Sequence, residues 1–378
     1  MYVAAVDVGT TYMTCCIYDP HGNMVADSGI DIQLVYPEPQ AVEIDPIVLW
    51  EQFCTVVRDA IARAECAPSE IAALGLCTHR NTFVTWDRNT GQPLHNFITW
   101  KDNRASAITD SWNQSFFLKA LRIGASVLHF FTRSKRYLLA SILWFMNVYV
   151  SMRMLWVMER YPQVLEKLND GSLAYGCIET WFLWNLSGGQ VEITELSLAS
   201  STGMFDPFVV DWSTLLQRIG VPTQILPKVE DTCGKFIECK PEIFGAPIPV
   251  TAVAGDQQSS TFGCGCISRG SINITLGTGS FLDVNTGEKP HASLTGLYPV
   301  IGWRIHRQLT YLAEGHSKDT ANCVLWAQSI GLFDRVEETS DLAKSVADTG
   351  GVYFVPAFHG LQVGLTMSKT VLAGDLST

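Results

Sequence analysis

One local pattern occurs twice in this chain, and it restricts the fold more than any other feature. Residues 3–22, VAAVDVGTTYMTCCIYDPHG, have the order strand, glycine turn, strand, turn. Residues 271–287, SINITLGTGSFLDVNTG, repeat that order. A weak internal repeat of this kind predicts two domains that each present one Gly-Thr hairpin turn.

The flanking segments favour an α/β fold. A third strand, MVADSGI, extends the opening meander, and DPIVLWEQFCTVVRDAIARAE then has helical apolar spacing, with Asp45 as N-cap and Pro46 at the first helical position. Further on, LWVMERYPQVLEKL predicts a helical region interrupted at Pro162, and strands and helices alternate after the first helix. The 378 residues are enough for two or three domains, and GAPIPV before a new strand predicts a boundary near residue 250. We therefore expect domains at residues 1–250 and 251–378.

Bulk composition excludes several classes of function. The formal net charge of −11 argues against a broad basic surface, so no nucleic-acid partner is expected. The eleven cysteines are odd in number, and MYVAAVDVGTT has no basic or apolar signal segment. Both observations indicate reduced thiols and a cytoplasmic protein.

The most apolar stretch, YLLASILWFMNVYV at residues 137–150, follows the basic RSKR. It is shorter than the ~20 residues that cross a bilayer. A buried helix is the expectation, so membrane contact is not expected, and an interfacial anchor is the alternative that stays open.

The two Gly-Thr turns suit an anion. Glycine lets the backbone approach closely, and successive N–H groups in a tight turn form an anion cradle. The first turn contains Gly9, Thr10 and Thr11, and the second contains Gly277 and Thr278. Asp7 precedes the first turn and would repel a phosphate unless Mg²⁺ lay between them. A plain hairpin is the alternative for each turn.

A second chemical signal is AGDQQSSTFG, residues 254–263. Asp256 follows an apolar strand and a glycine, where a carboxylate can accept a proton from a substrate hydroxyl. The amide of Gln257 can hold other hydroxyls of that substrate. A helix N-cap is the structural alternative for Asp256, and the two roles are compatible.

Several motifs in order carry a family resemblance. AVDVGTT, AGDQQSSTFG, LGTGSFLDVNTGE and GVYFVPAFHGL resemble the FGGY carbohydrate kinases and, within them, the glycerol kinases. YPEPQAVEIDPIVLW, GCIETWFLWNLSGG and ASSTGMFDP are also typical of glycerol kinases, and VLHFFTRSKR is similar to a divergent animal branch of them. The likeness runs from residue 2 to about residue 361.

The resemblance implies an actin/hexokinase-like (ribonuclease H-like) two-domain fold that binds ATP and Mg²⁺ in its cleft and phosphorylates glycerol. It implies that Asp256 is the general base and that Asp7 lies near Mg²⁺. Carried over to matching positions, the phosphate turns are Gly9, Thr10, Thr11, Gly277 and Thr278, and the glycerol contacts are Arg80, Asn81, Trp100, Gln257 and Phe281.

The sequence departs from the family at informative positions. Asn81 stands where the family has a glutamate that accepts from glycerol, and Thr14 stands where it has an arginine. The glycerol-binding tyrosine does not align securely, with Tyr149 the nearest candidate. After VPAFHGL the family's glycine-rich adenosine motif is not found, so the chain resembles a truncated form with an incomplete second domain.

Two functions follow. One is an ATP-dependent kinase for glycerol or a similar small polyol, giving glycerol 3-phosphate. The alternative is a non-catalytic isoform, or a regulatory or binding protein, that has lost nucleotide affinity. A homo-oligomer is compatible with either.

Overall fold

The computed structural model describes residues 1–277, 279–294, 296–317 and 320–354. In these residues the strands are β1 (Tyr2–Val8), β2 (Tyr12–Tyr18), β3 (Met24–Asp31), β4 (Glu43–Ile44), β5 (Ile71–Thr78), β6 (Phe83–Asp87), β7 (Phe97–Ile98), β8 (Leu173–Cys177), β9 (Ile193–Glu195), β10 (Phe205–Asp206), β11 (Asp211–Trp212), β12 (Lys228–Glu230), β13 (Cys233–Glu238), β14 (Pro249–Gly255), β15 (Ile272–Leu276), β16 (Ser280–Gly287), β17 (Tyr298–Ile305) and β18 (Gln308–Ser317). The helices are α1 (Pro46–Arg63), α2 (Ser106–Gln114), α3 (Phe116–Thr132), α4 (Lys135–Ser141), α5 (Val150–Arg160), α6 (Pro162–Asp170), α7 (Ile178–Leu186), α8 (Leu196–Ser201), α9 (Leu215–Ile219), α10 (Pro241–Phe244), α11 (Asp256–Gly263), α12 (Ala321–Ser329) and α13 (Thr339–Lys344).

A six-stranded mixed sheet in the order β13-β14-β5-β1-β2-β3 forms the centre of the first part of the chain. The strands β14, β5 and β1 are parallel, and the other neighbours are antiparallel. The predicted meander is thus confirmed. Because parallel strands end at the same edge, the residues that follow β1, β5 and β14 are brought together there.

Helix α1 covers one face of this sheet. Its N-cap Asp45 accepts from the backbone N–H groups of Ile47 and Val48, and Pro46 is its first residue, as the sequence predicts. Leu49, Phe53 and Val57, spaced by four residues, are fully buried against the sheet.

A second, four-stranded sheet in the order β4-β7-β6-β8 packs with α2, α3, α5 and α6 around a separate apolar core. The helical region broken at Pro162 is confirmed as α5 and α6.

The prediction of one buried helix over residues 137–150 is wrong. Helix α4 ends at Ser141, and residues 142–149 form a half-buried, non-helical segment. Asn113 on α2 explains the extended backbone there. Its amide donates to the Phe145 carbonyl and accepts from the Phe145 N–H, both at 2.9 Å, so it supplies the hydrogen bonds that a helix would have made.

The second Gly-Thr hairpin, β15–β16, belongs to another four-stranded antiparallel sheet in the order β15-β16-β18-β17. Strand β14, which crosses residue 250, pairs with β5 and β13 in the first sheet. The domain boundary at residue 250 stays a prediction, and so does the extent of the second domain to residue 378, because residues 355–378 lie outside the described ones.

Among the helices of the described residues, none combines the length and the apolar character that crossing a membrane requires.

Candidate active site

A large cavity, of about 1010 Å³, opens where the parallel strands end. Its floor holds Asp7 from β1, the loop after β5 with Arg80, and Asp256 directly after β14. The opposite wall comes from the second hairpin's sheet, including Phe281 and Glu314. Each predicted site residue that the structure describes lines this one cavity: Asp7, Gly9, Thr10, Thr11, Arg80, Asn81, Trp100, Asp256, Gln257, Gly277 and Phe281.

The first Gly-Thr turn is tight and held from behind. The Gly9 N–H donates to the Tyr12 carbonyl at 3.0 Å, and a Cβ on Gly9 would come within 2.9 Å of that oxygen. The indole N–H of Trp100 donates to the Thr10 hydroxyl at 2.9 Å. Trp100 therefore positions the turn as well as lining the cavity.

His79 fixes the same turn, and the sequence analysis assigned it no role. Its Nδ1 lies 2.9 Å from the Gly9 carbonyl, which can only accept, so Nδ1 carries the proton. Its Nε2 then accepts from the Thr82 hydroxyl at 2.8 Å. Burial lowers the pKa of His79, which favours this neutral form.

The second Gly-Thr turn is described only in part. The Gly277 N–H donates to the Gly279 carbonyl at 2.9 Å, and the Gly277 carbonyl accepts from the Ala321 N–H at 3.2 Å at the start of α12. Thr278 lies outside the described residues.

Asp256 is the first residue of α11, and Gly255 is the helix N-cap. A Cβ on Gly255 would lie 2.5 Å from Gln258 Oε1 and 3.0 Å from the Arg80 side chain, so only glycine fits there. The Asp256 carboxylate is 29% exposed and lies 3.5 Å from Arg80 Nε. Gln257 is buried, and its side-chain oxygen has no hydrogen-bond partner among the described residues. Because Gln257 lines the cavity, this unpaired acceptor is a candidate partner for a ligand hydroxyl.

Arg80 joins the two sides of the cavity. Its Nη1 lies 2.7 Å from Glu314 on β18, with both side chains almost fully buried. Burial alone would lower the pKa of Arg80, but Glu314 and Asp256 raise it. The guanidinium carbon also lies 5.5 Å from the centre of the Phe281 ring. The fixed cation is thus held between the predicted general base and the second hairpin.

Glu314 belongs to a second hydrogen-bond network, which the sequence analysis did not predict. It accepts from the Tyr298 hydroxyl, which also lies 2.8 Å from His316 Nδ1. His316 stacks on Phe281 with ring centres 5.8 Å apart. Although burial opposes it, Arg80 lowers the pKa of Glu314, so this carboxylate is ionised. The available sequence signal was the pair of polar residues Glu314 and His316, which stand two positions apart in the strand segment YLAEGHS.

Asp283 on β16 pairs in register with Glu314 on β18. It is fully buried, and neither of its side-chain oxygens has a hydrogen-bond partner among the described residues. Burial and the Glu314 charge raise the pKa of Asp283 to about 8. The raised pKa favours a protonated Asp283 at neutral pH, next to a Glu314 that Arg80 keeps ionised.

Asn81 has a left-handed backbone, with φ of 64°, which asparagine adopts more readily than most residues. Its carbonyl accepts from the fully buried Arg153 at 2.6 Å, and its own side-chain oxygen is buried without a partner in the described structure. Asn81 thus presents a fixed, unpaired acceptor at the cavity. Tyr149, the nearest candidate for the glycerol-binding tyrosine, lines the same wall.

Asp7 is the predicted metal residue. Solvent reaches its carboxylate, yet the surrounding protein desolvates it and raises its pKa; a hydrogen bond from Cys77 lowers the pKa, and nearby Asp256 raises it again. Two carboxylates near one another at a cavity floor fit a divalent cation. The described residues contain no group of three or more acidic, His or Cys ligands, and Mg²⁺ typically uses one or two carboxylates with substrate phosphates.

Comparison with known proteins places the chain in a family of kinases. The FGGY family of carbohydrate kinases, N-terminal domain, matches residues 2–263. The chain belongs to the FGGY family of carbohydrate kinases.

Within that family the chain is similar to glycerol kinases. The chain is 44% identical over 361 residues to glycerol kinase 5 of Xenopus laevis, covering 95% of this chain and 75% of that protein. It is 41% identical over 365 residues to glycerol kinase 5 of Homo sapiens, covering 96% and 69%. The resemblance to a divergent animal branch is confirmed.

Solved structures share the fold. Plasmodium falciparum glycerol kinase with ADP has a TM-score of 0.81 at 27% identity, covering 95% of this chain and 69% of that one. A xylulose kinase from Rhodospirillum rubrum has a TM-score of 0.76 at 17% identity, covering 100% and 74%. The predicted α/β, actin/hexokinase-like fold class is confirmed.

Proposed function

We propose that this protein transfers the γ-phosphoryl group of ATP to a terminal hydroxyl of glycerol or a similar small polyol, giving glycerol 3-phosphate. The observation that carries the proposal is one cavity that contains Asp256, Arg80 and the first Gly-Thr turn, each fixed by hydrogen bonds or ion pairs. Phosphoryl transfer depends mostly on positioning and charge neutralisation, which this arrangement supplies.

In this proposal the polyol lies against Arg80 and Asp256. The partly exposed carboxylate of Asp256 accepts the proton of the attacking hydroxyl. The unpaired side-chain oxygens of Asn81 and Gln257 accept from the other hydroxyls, while Phe281 and Trp100 contact the carbons.

ATP is the proposed phosphoryl donor and Mg²⁺ its companion ion. The first turn would bind the phosphates through the N–H groups of Thr10 and Thr11, because the Gly9 N–H already donates to the Tyr12 carbonyl. Gly277 and Thr278 of the second turn are the other proposed phosphate contacts. Asp7 would hold Mg²⁺, whose chemistry is to neutralise charge on the phosphate oxygens. Desolvation is the main cause of the raised pKa of Asp7, and the charge of Asp256 raises it further. A cation between these two neighbouring carboxylates would relieve their repulsion.

We place the reaction in the cytosol, since none of the eleven cysteines, all of which lie in the described residues, is in a disulfide. Self-association into a homo-oligomer is compatible with this proposal.

The non-catalytic alternative is favoured by one observation. Ile272, Ile274 and Leu276 on one face of β15 are 55%, 62% and 74% exposed. An uncovered apolar strand face suits a binding partner, and a protein that serves mainly as a partner needs no turnover.

Glycerol-dependent ADP formation from MgATP tests the proposal. We expect turnover by the wild type and a loss of about 10²–10⁴-fold in Asp256→Asn, the range for a general base. Asp110→Asn on the exposed surface of α2 is the matched control and should retain activity. A folded wild type without glycerol-dependent turnover would overturn the kinase and favour the binding protein.

A further inference from the structure

The cavity is far larger than glycerol needs. Its volume of about 1010 Å³ includes the phosphate turns, yet its lining also extends past the residues proposed for polyol, phosphates and Mg²⁺. Beyond the polar floor it continues between α3, α4 and the non-helical segment 142–149. This extension, which we call the apolar channel, is lined by Leu121, Gly124, Ala125, Leu139, Ala140 and Leu143.

The composition of the apolar channel suits hydrocarbon. The chain from Ser115 to Met158 has no Asp or Glu. Arg136 is the one charged side chain that this stretch contributes to the described lining, and it pairs with Asp206 at 2.7 Å. Leu121, Ala125 and Leu128 recur at helical spacing, so one face of α3 forms a continuous apolar wall. Such a wall offers a polar nucleotide nothing to bind, whereas it favours methylene groups.

The inner end of the channel joins the polyol site. Val148 and Tyr149 line the cavity together with Asn81 and Arg80. A chain attached to a glycerol carbon can therefore leave the Arg80–Asp256 floor and enter the channel within one continuous cavity.

The outer end opens at Leu128, which lines the cavity and is 46% exposed. Next to it, the outward face of α3 is also apolar: Phe116 is 86% exposed, Ile123 66%, Phe130 64% and Phe131 76%. Exposed basic residues flank this face at Lys119, Arg133 and Lys135. Apolar side chains on α3, with basic side chains on this helix and just after it, suit the surface of an anionic lipid layer, where chain-bearing molecules reside.

We propose that the preferred phosphoryl acceptor is a glycerol carrying a single hydrocarbon chain, with its free hydroxyls at Arg80 and Asp256 and its chain in the apolar channel. The inference rests on the proposed kinase function and names its substrate class. The free terminal hydroxyl oxygen forms the new O–P bond to the γ-phosphorus, and the bond from that phosphorus to the β,γ-bridging oxygen breaks. The hydroxyl proton passes to Asp256, and ADP leaves with the bridging oxygen.

The octyl ether of glycerol, with its chain on a terminal oxygen, is the probe, used below its critical micelle concentration beside glycerol itself. We expect kcat/KM for the ether to exceed that for glycerol by about 100-fold or more, because each buried methylene favours binding. Mass spectrometry identifies the phosphorylated ether.

Gly124→Leu closes the channel. A Cβ at Gly124 meets no atom within 4 Å, so the new side chain has room, and leucine favours a helix more than glycine does. The ratio of kcat/KM for the ether to that for glycerol should fall about tenfold or more. Ala120→Leu, on the exposed side of α3, is the matched control and should leave this ratio unchanged.

The two levels of the proposal fail differently. Turnover of glycerol with a weaker response to the ether overturns the chain-bearing acceptor and leaves the polyol kinase intact. With no turnover of either acceptor the kinase proposal fails, and calorimetry then decides on the channel. Ether binding that Gly124→Leu removes would support a hydrocarbon site, and its absence would overturn that site too.

Discussion

The two Gly-Thr hairpins have the same backbone plan in opposite surroundings. In β1–β2, the apolar residues Val6 and Ile17 are almost fully buried in the core that also contains residues of α1. In β15–β16, the alternate apolar residues Ile274 and Leu276 are 62% and 74% exposed, and Asn273 points inward to the hydroxyls of α11. The shape of such a turn therefore depends on the pairing of its two strands, whereas the stability of the hairpin depends on what covers those strands.

The largest expected effect concerns the ion pair that joins the two hairpin sheets. Arg80→Leu leaves Glu314 buried without its cation, and we expect the free energy of unfolding to fall by about 3–5 kcal/mol. Urea unfolding measures it. The double variant Arg80→Leu/Glu314→Leu should recover most of the loss, because no uncompensated charge remains. If the single and double variants lose the same stability, the two sheets are not coupled through this pair.

An isoleucine from each hairpin tests the difference in burial directly. Ile17→Ala should lower the free energy of unfolding by about 2–5 kcal/mol, because its side chain is fully buried. Ile274→Ala should change it by less than about 0.5 kcal/mol, because most of its surface already faces solvent. Chemical denaturation of both variants gives the contrast. Equal losses would show that β15 is covered in solution, by a second copy or another partner.

The glycine of the first turn is also more closely surrounded than the glycine of the second. A Cβ at Gly9 would lie 2.9 Å from the Tyr12 carbonyl oxygen, whereas one at Gly277 would meet the Gly279 oxygen at 3.7 Å. We expect Gly9→Ala to destabilise the protein by about 1–3 kcal/mol and Gly277→Ala to change stability by less than about 1 kcal/mol. Thermal unfolding of the two variants distinguishes them, and a reversed order would contradict the described turn geometry.

The smallest expected effect on stability comes from Asp283, the buried acid of the second hairpin. Asp283 stays protonated in the folded protein up to a pH of about 8, whereas in the unfolded chain it ionises near 3.8. Between these values the unfolded chain is the form that has lost the proton, so stability falls as pH rises. Asp283→Asn should remove this slope and be more stable than wild type near pH 8 by about 1–2 kcal/mol. Urea midpoints across pH measure it, and parallel curves for both proteins would show that Asp283 does not hold the proton.

The sequence predicted local elements well, because local rules determine them. The opening meander, the cap of α1 and the break at Pro162 each follow from spacing, capping chemistry or proline geometry. The segment at residues 137–150 was misassigned because its fate depends on Asn113, more than twenty residues away, whose amide pairs with its backbone.

The candidate site also contains residues that the sequence predicts and residues that it does not. Asp7, Asp256 and the glycine turns were predictable because each lies at the end of a strand or directly after one. Glu314, Asp283 and Tyr298 were not, because their meeting depends on the strand register of β16, β17 and β18 and on Arg80 reaching across from another sheet. A sequence gives the order of such strands more readily than their pairing.

The paired amide of Asn113 also has a consequence for how the chain can be made. Asn113 begins the triplet Asn-Gln-Ser, an acceptor sequence for N-linked glycans. Its side chain is 2% exposed, and its nitrogen is the atom that donates to the Phe145 carbonyl. A sugar attached to that nitrogen before folding would occupy the interior and leave the carbonyl with a displaced donor. Glycan transfer at Asn113 and formation of this fold are therefore mutually exclusive.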